Sequence, residues 1–245
     1  MKKNLLIIVI ALAFLGCEKP GECIKSSGAM VTKEIPVTPF ETIYVYSGIE
    51  LIIKEGPAYK VEVYSGENLI DDISVVLKDN VLTLRDESTC NWVRDYGETT
   101  VFITAPNLVE IHSRTEKDIK SDGVITYPIL RFIAMDLSEG AGTGDFIFEI
   151  DNGQLVIENN NVSRFFISGK TQEALFNFYD GNGRIEAQNL EAQVIKLFHR
   201  GSNDMYVSPI QRIEGELFST GDVVLYHTPP EIEVVAHYYG QLRYN

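Results

Sequence analysis

Two stretches decide the fold when laid side by side: Gly142-Thr143-Gly144-Asp145-Phe146-Ile147-Phe148 and Ser219-Thr220-Gly221-Asp222-Val223-Val224-Leu225. Each opens on a short polar turn ending in Gly-Asp, and in each an apolar residue follows the aspartate at once and again two positions later. Working outward, the same pattern recurs with anchors at Asp145, Arg164, Arg184, Asp204, Asp222 and Gln241, spaced by 19, 20, 20, 18 and 19 residues. One residue before the anchors stand Gly144, Ser163, Gly183, Asn203, Gly221 and Gly240, mostly types that tolerate positive φ in a tight turn. One after stand Phe146, Phe165, Ile185, Met205, Val223 and Leu242, all apolar. Three after stand Phe148, Ile167, Ala187, Val207, Leu225 and Tyr244, and nine before the last five anchors stand Leu155, Leu175, Ile195, Ile213 and Ile232.

Side chains alternate across a strand, so positions one and three after the anchor share a face. Each repeat therefore has a strand on either side of a turn, with one column facing inward throughout. A β-solenoid requires this, because a single coil cannot bury its inner face and must stack on its neighbours. A meander of equal hairpins is the alternative. It reverses direction at every turn and does not naturally return the same columns.

Before the repeats, apolar residues alternate in Ile43-Val45, Leu51-Ile53, Val61-Val63, Val75-Leu77, Leu82-Leu84 and Val101-Ile103, separated by turns such as Ser47-Gly48 and Asp79-Asn80. Helix signals are nearly absent. The expected architecture is all-β: a β region over residues 31–135, continuous with solenoid repeats of 18–20 residues over 136–245.

The other end of the chain reads as targeting. Lys2 and Lys3 precede an unbroken apolar run from Leu5 to Leu15, too short for the roughly 20 apolar residues of a membrane span, so residues 1–16 read as a signal segment. Phe14-Leu15-Gly16-Cys17 looks like a lipobox, with Phe14 where Leu is usual. Acylation of Cys17 would make membrane lipid the first expected partner, and several acyl chains on one cysteine hold firmly where a single chain does not. Residues 17–30, with Pro20, Gly21 and Gly28, read as a tether. The expected location is the bacterial cell envelope, at the outer membrane, facing the periplasm or the surface.

Without Lys2 and Lys3 the chain keeps 19 basic against 35 acidic residues, a net charge of −16. That balance excludes nucleic acid and docking on anionic head groups, which require basic patches. Cys23 and Cys90 are candidates for a disulfide in an oxidising compartment, two buried thiols being the alternative. Neither has a metal-ligand neighbour, and His112, His199, His227 and His237 share no ligand spacing, so no metal and no cofactor is expected.

Ser47-Gly48-Ile49-Glu50-Leu51, then Glu67-Asn68-Leu69-Ile70 and Val81-Leu82-Thr83-Leu84, followed by the Gly-Asp turns, resemble the auto-transporter adhesin, head GIN domain family. Cys90 to Tyr96 and Ala105 to Leu108 look like segments of its lipoprotein members. The resemblance covers about residues 31–245 and implies a right-handed parallel β-helix-like fold on an exported protein.

If the coils stack, Asp145, Arg164, Arg184, Asp204, Asp222 and Gln241 form a column with about 4.8 Å between rungs, placing Arg184 beside Asp204. Such a column is either a polar stripe that binds a glycan or cation, or a row of turn-capping side chains. Asp204 and Asp222 are the carboxylates a glycosidase reading would use, yet each coil offers a single Asp and no catalytic residue is assigned. Tyr226, Tyr238, Tyr239 and Tyr244 are expected to cap the last coil. The expected function is a non-catalytic adhesion, interaction or structural module with a glycan or protein ligand; a β-helix carbohydrate-active enzyme and an accessory subunit of an envelope complex are the alternatives.

Overall fold

The computed structural model describes residues 27–88, 99–135 and 142–245. Cys17, Cys23, Cys90 and Trp92 lie outside the described residues, and with them the expected signal segment, lipidation and disulfide. The described chain is nearly all-β, with 65% of it in strands. Its elements are β1 (Met30–Ile35), β2 (Thr42–Tyr46), β3 (Ile49–Glu55), β4 (Lys60–Gly66), β5 (Ile73–Lys78), β6 (Val81–Asp86), β7 (Thr99–Ala105), β8 (Glu110–Arg114), β9 (Ile119–Ile125), β10 (Ile129–Ala134), β11 (Phe146–Asn159), β12 (Arg164–Phe178), β13 (Arg184–His199), β14 (Met205–Leu217), β15 (Val223–Leu225), β16 (Glu231–Ala236) and β17 (Leu242–Tyr244). A 3-10 turn, Ile70–Asp72, follows β4.

The strands build two parallel ladders. One runs β6–β2–β8–β10 and continues through the C-terminal halves of β11 to β14 into β16. The other runs β7–β3–β9, then through the N-terminal halves of β11 to β14 into β15 and β17. Each coil puts one strand in each ladder, and about six coils make up the C-terminal solenoid. The expected columns stack in register: Phe146 on Phe165, Phe165 on Ile185, Ile185 on Met205, Met205 on Val223 and Val223 on Leu242.

Coil order in space differs from order in sequence. β2 pairs with both β6 and β8, and β3 with both β7 and β9, so the coil of β2 and β3 lies between two later ones. After β7 the chain must cross that coil to reach β8; the Val109 N–H bonds the Glu41 carbonyl on arrival, and the buried Tyr127 hydroxyl holds the Ala105 carbonyl at 2.9 Å. The outer coil is covered by antiparallel strands, β4 against β7, β1 against β4, and β5 against β6, with Asp79 and Asn80 at positive φ in the last hairpin. This closes an edge that would otherwise invite pairing. At the far end Tyr238, Tyr239 and Tyr244 are 61%, 72% and 61% exposed, so they do not bury themselves over the last coil as expected.

Inside, an aromatic spine runs along the axis: Phe132 to Phe146 at 5.0 Å, Phe146 to Phe165 at 4.9 Å and Phe165 to Phe178 at 5.9 Å between centroids. One expected column member is corrected. Ala174, not Leu175, pairs with Leu155 and Ile195 and is fully buried, and four residues on Phe178 pairs with His199. The turn from Tyr179 to Gly183 is one residue longer than its counterparts, so counting back from Arg184 lands one position late and on the opposite face.

Candidate functional site

The anchor column lies where each coil leaves its turn and enters the second ladder. Asp145 takes a bidentate pair from Arg164, at 2.8 and 2.5 Å. Arg184 faces Arg164 in register and turns to Glu186 of its own strand at 2.5 Å, its guanidinium lying over the Tyr206 ring. No ion pair between Arg184 and Asp204 forms among the described residues, so the expected neighbouring of those two charges is not what balances the column. Asp204 Oδ1 instead accepts the Asp222 backbone N–H at 2.9 Å, and Asp222 Oδ1 accepts the Gln241 N–H at 2.8 Å. Asp222 Oδ2 also receives Arg243 at 2.7 Å. These carboxylates stitch successive coils together at their turns.

The other polar features of the sequence are likewise engaged. His112 stacks on Tyr44 with centroids 4.0 Å apart and bonds Glu110; burial holds its pKa below the usual histidine value, against the opposing pull of Glu110. On the outer face of the first ladder, Arg131 bridges Glu110 and Glu158, Lys196 meets Glu173 at 2.5 Å, and Arg212 gathers Glu214, Glu231 and Glu233. Lys196 and Gln154 together hold the Glu173 carboxyl below its ordinary range. Among the described residues no three His, Cys, Asp or Glu side chains gather as a metal site.

A different region is concave and unspent. On the second ladder the β9–β11 register jumps from Lys120↔Ile147 to Val124↔Glu149, leaving Ser121, Asp122 and Gly123 as a bulge. On the other side, β13 pairs with β14 as Ala187↔Val207 and resumes at Glu191↔Ser208, so Gln188, Asn189 and Leu190 form a second bulge. Between them β11 and β12 keep simple register, Ile147↔Phe166 and Glu149↔Ser168. The two bulges wall a groove of about 380 Å³ floored by Ile147 and Phe166. Bulges commonly re-aim side chains beside binding sites. None of the six bulge residues was singled out in the sequence; the 20-residue spacing from Arg184 to Asp204 registers the extra length but not its place.

The fold has counterparts. A family model described as "Putative auto-transporter adhesin, head GIN domain" matches residues 39–229. The chain belongs to this family. Among curated proteins none matches. The GIN-domain chain is similar in structure to a "putative adhesin" of Bacteroides fragilis, at a TM-score of 0.78 and 20% identity over 89% of this chain and 97% of that one. It is also similar to a "putative lipid binding protein" of Parabacteroides distasonis, with TM-score 0.68 and 17% identity over 91% and 99% of the two chains. A "putative adhesin" of Parabacteroides merdae follows at TM-score 0.64 and 16% identity over 91% and 98%. At such identities the shared property is the fold, and the GIN-domain solenoid spans nearly the whole of each counterpart.

Proposed function

We propose that this GIN-domain protein is an exported lipoprotein, acylated at Cys17 and held by that lipid at the outer membrane of a bacterial cell envelope, whose solenoid serves as a non-catalytic adhesion module. The observation that carries the reading is the use of Asp204 and Asp222. These are the neighbouring carboxylates that acid–base chemistry on adjacent coils would need, and both are committed to backbone N–H groups of the next coil. A carboxylate so occupied stiffens a stack and is poorly placed to exchange protons with a substrate. The direction of the chain supports display: Ser27 is bound to Asn68 near the covered end of the stack, and β16 with β17 stands at the opposite end.

Two measurements test the proposal. Cells producing the protein and fed a labelled fatty acid should incorporate label into the wild type and not into Cys17→Ala; equal labelling of both overturns the anchor. The purified protein should leave neutral and acidic polysaccharides uncut. Cleavage that disappears in both Asp204→Ala and Asp222→Ala overturns the non-catalytic reading.

A further inference from the structure

We infer that the groove between the bulges of β9 and β13 is a binding subsite for a short, uncharged oligosaccharide, an inference that deepens the adhesion reading and rests on it. The depression on the other face, beside Phe198 and Gly215, makes the contrast. Its Glu214 and Glu233 are tied to Arg212, its Glu216 to His237 and its Lys196 to Glu173, so its charges already have partners.

In the groove the opposite holds. The Glu149 carboxylate, the Ser168 hydroxyl and the Asn189 amide have no side-chain partner among the described residues, and Gln188 Oε1 is buried without a hydrogen bond. An unsatisfied buried acceptor is costly, so the Gln188 amide gains by turning to a ligand hydroxyl. These groups surround an apolar floor in which Ile147 is 40% exposed and Phe166 half-buried, with Arg164 over the Phe166 ring at 5.5 Å. A pyranose has the complementary surface. Its C–H faces are apolar, while its hydroxyls both donate and accept, as amide, hydroxyl and carboxylate groups require. The volume is also that of a small-molecule site, for which roughly 300–1,000 Å³ is usual.

Two further features select among ligands. β11 and β12 are paired on both sides, so a peptide strand finds no free ladder edge to extend. Glu149 brings unpaired negative charge to the groove, while Arg164 is committed to Asp145 and Arg184 and Glu186 neutralise each other. With a formal net charge of −14 on the whole chain, uronic and sulfated sugars are repelled.

The test uses the full-length protein in detergent micelles with cellotriose, mannotriose, chitotriose and the acidic trigalacturonate, read by saturation-transfer NMR and calorimetry. Expected is binding of at least one neutral trisaccharide with a Kd near or below about 1 mM. That binding should weaken about tenfold in Phe166→Ala and in Asn189→Ala and persist in Tyr238→Ala. Asn189 is exposed, so its variant keeps the fold even if Phe166→Ala does not. Absence of binding by all three neutral sugars, binding indifferent to both groove variants, or equally tight trigalacturonate binding overturns the assignment. If the groove assignment fails while Cys17 takes up label and protein-coated beads attach to cultured cells, the anchored adhesion module stands; loss of label and attachment with sugar binding intact reverses that outcome.

Discussion

Asp204 Oδ1 accepts the backbone N–H of Asp222 at 2.9 Å, and Asp222 repeats the arrangement one coil later toward Gln241 at 2.8 Å. At these two turn exits a carboxylate one coil below accepts the backbone N–H, where at Arg184 the Ser163 carbonyl does so at 3.1 Å. A hydrogen bond to a charged group contributes about 1.5–3 kcal/mol. Asp204→Ala is therefore expected to cost about 2 kcal/mol, a fall in Tm of roughly 4–8 °C for a chain of this size. Asp204→Asn keeps an acceptor oxygen and should lose less than half as much. Equal losses in the two variants, measured by thermal unfolding, would show that the bond to Asp222 is not what Asp204 contributes.

The aromatic spine makes a second prediction. Phe165 is fully buried between Phe146 and Phe178. Truncating a buried phenylalanine removes its transfer free energy and leaves a cavity, so Phe165→Ala should cost about 3–5 kcal/mol in denaturant unfolding. Phe165→Leu fills more of the space and should cost clearly less. The exposed Tyr239→Ala should change stability by no more than about 0.5 kcal/mol.

A third concerns Gly169, which sits at φ +102°, just after Ser168 of the groove. A Cβ there would stand 2.0 Å from the Ile150 carbonyl oxygen, a backbone atom with no freedom to retreat. Gly169→Ala should destabilise by roughly 1–3 kcal/mol or more, through strain in both the dihedral and the β11–β12 ladder. Gly123 is the comparison. It too has positive φ, but open space surrounds its Cβ position, so Gly123→Ala should cost less than Gly169→Ala.

Much of this architecture could be read from residue order. The column from Phe146 to Leu242 stacks as its spacing implies, because a residue at a fixed offset from a turn keeps its face as long as no residue is added between them. Leu175 shows where this breaks: one added residue in the turn before Arg184 shifts the count and puts Ala174 inside. The groove was hidden for a related reason. Spacing reports the total length of a coil, whereas the site depends on where Gln188, Asn189 and Leu190 leave the ladder. The placing of β2 and β3 between later coils is a long-range pairing choice, and local periodicity carries no information about it.

The last prediction is a pH dependence. His199 stands in the inner column between Phe178 and Leu217, and its Nε2 donates to the Asn203 carbonyl at 2.9 Å. Nδ1 is buried with no partner among the described residues, so protonation would add a charge and a donor with none of them to receive it. Burial lowers the pKa below its ordinary value of 6.5, with the Asn203 bond and then Asp204 and Asp222 pulling the other way. The unfolded chain therefore binds the proton more readily than the folded one, and stability falls as the pH drops through and below about 6.5. His112, also lowered chiefly by burial, acts with the same sign. Tm should fall between about pH 8 and about pH 5, before most carboxylates titrate. In His199→Leu, which copies Leu217 of the next coil, the fall should be shallower, with the remainder assigned to His112. A slope as steep in the variant as in the wild type would mean that His199 is not among the groups whose neutrality the fold requires.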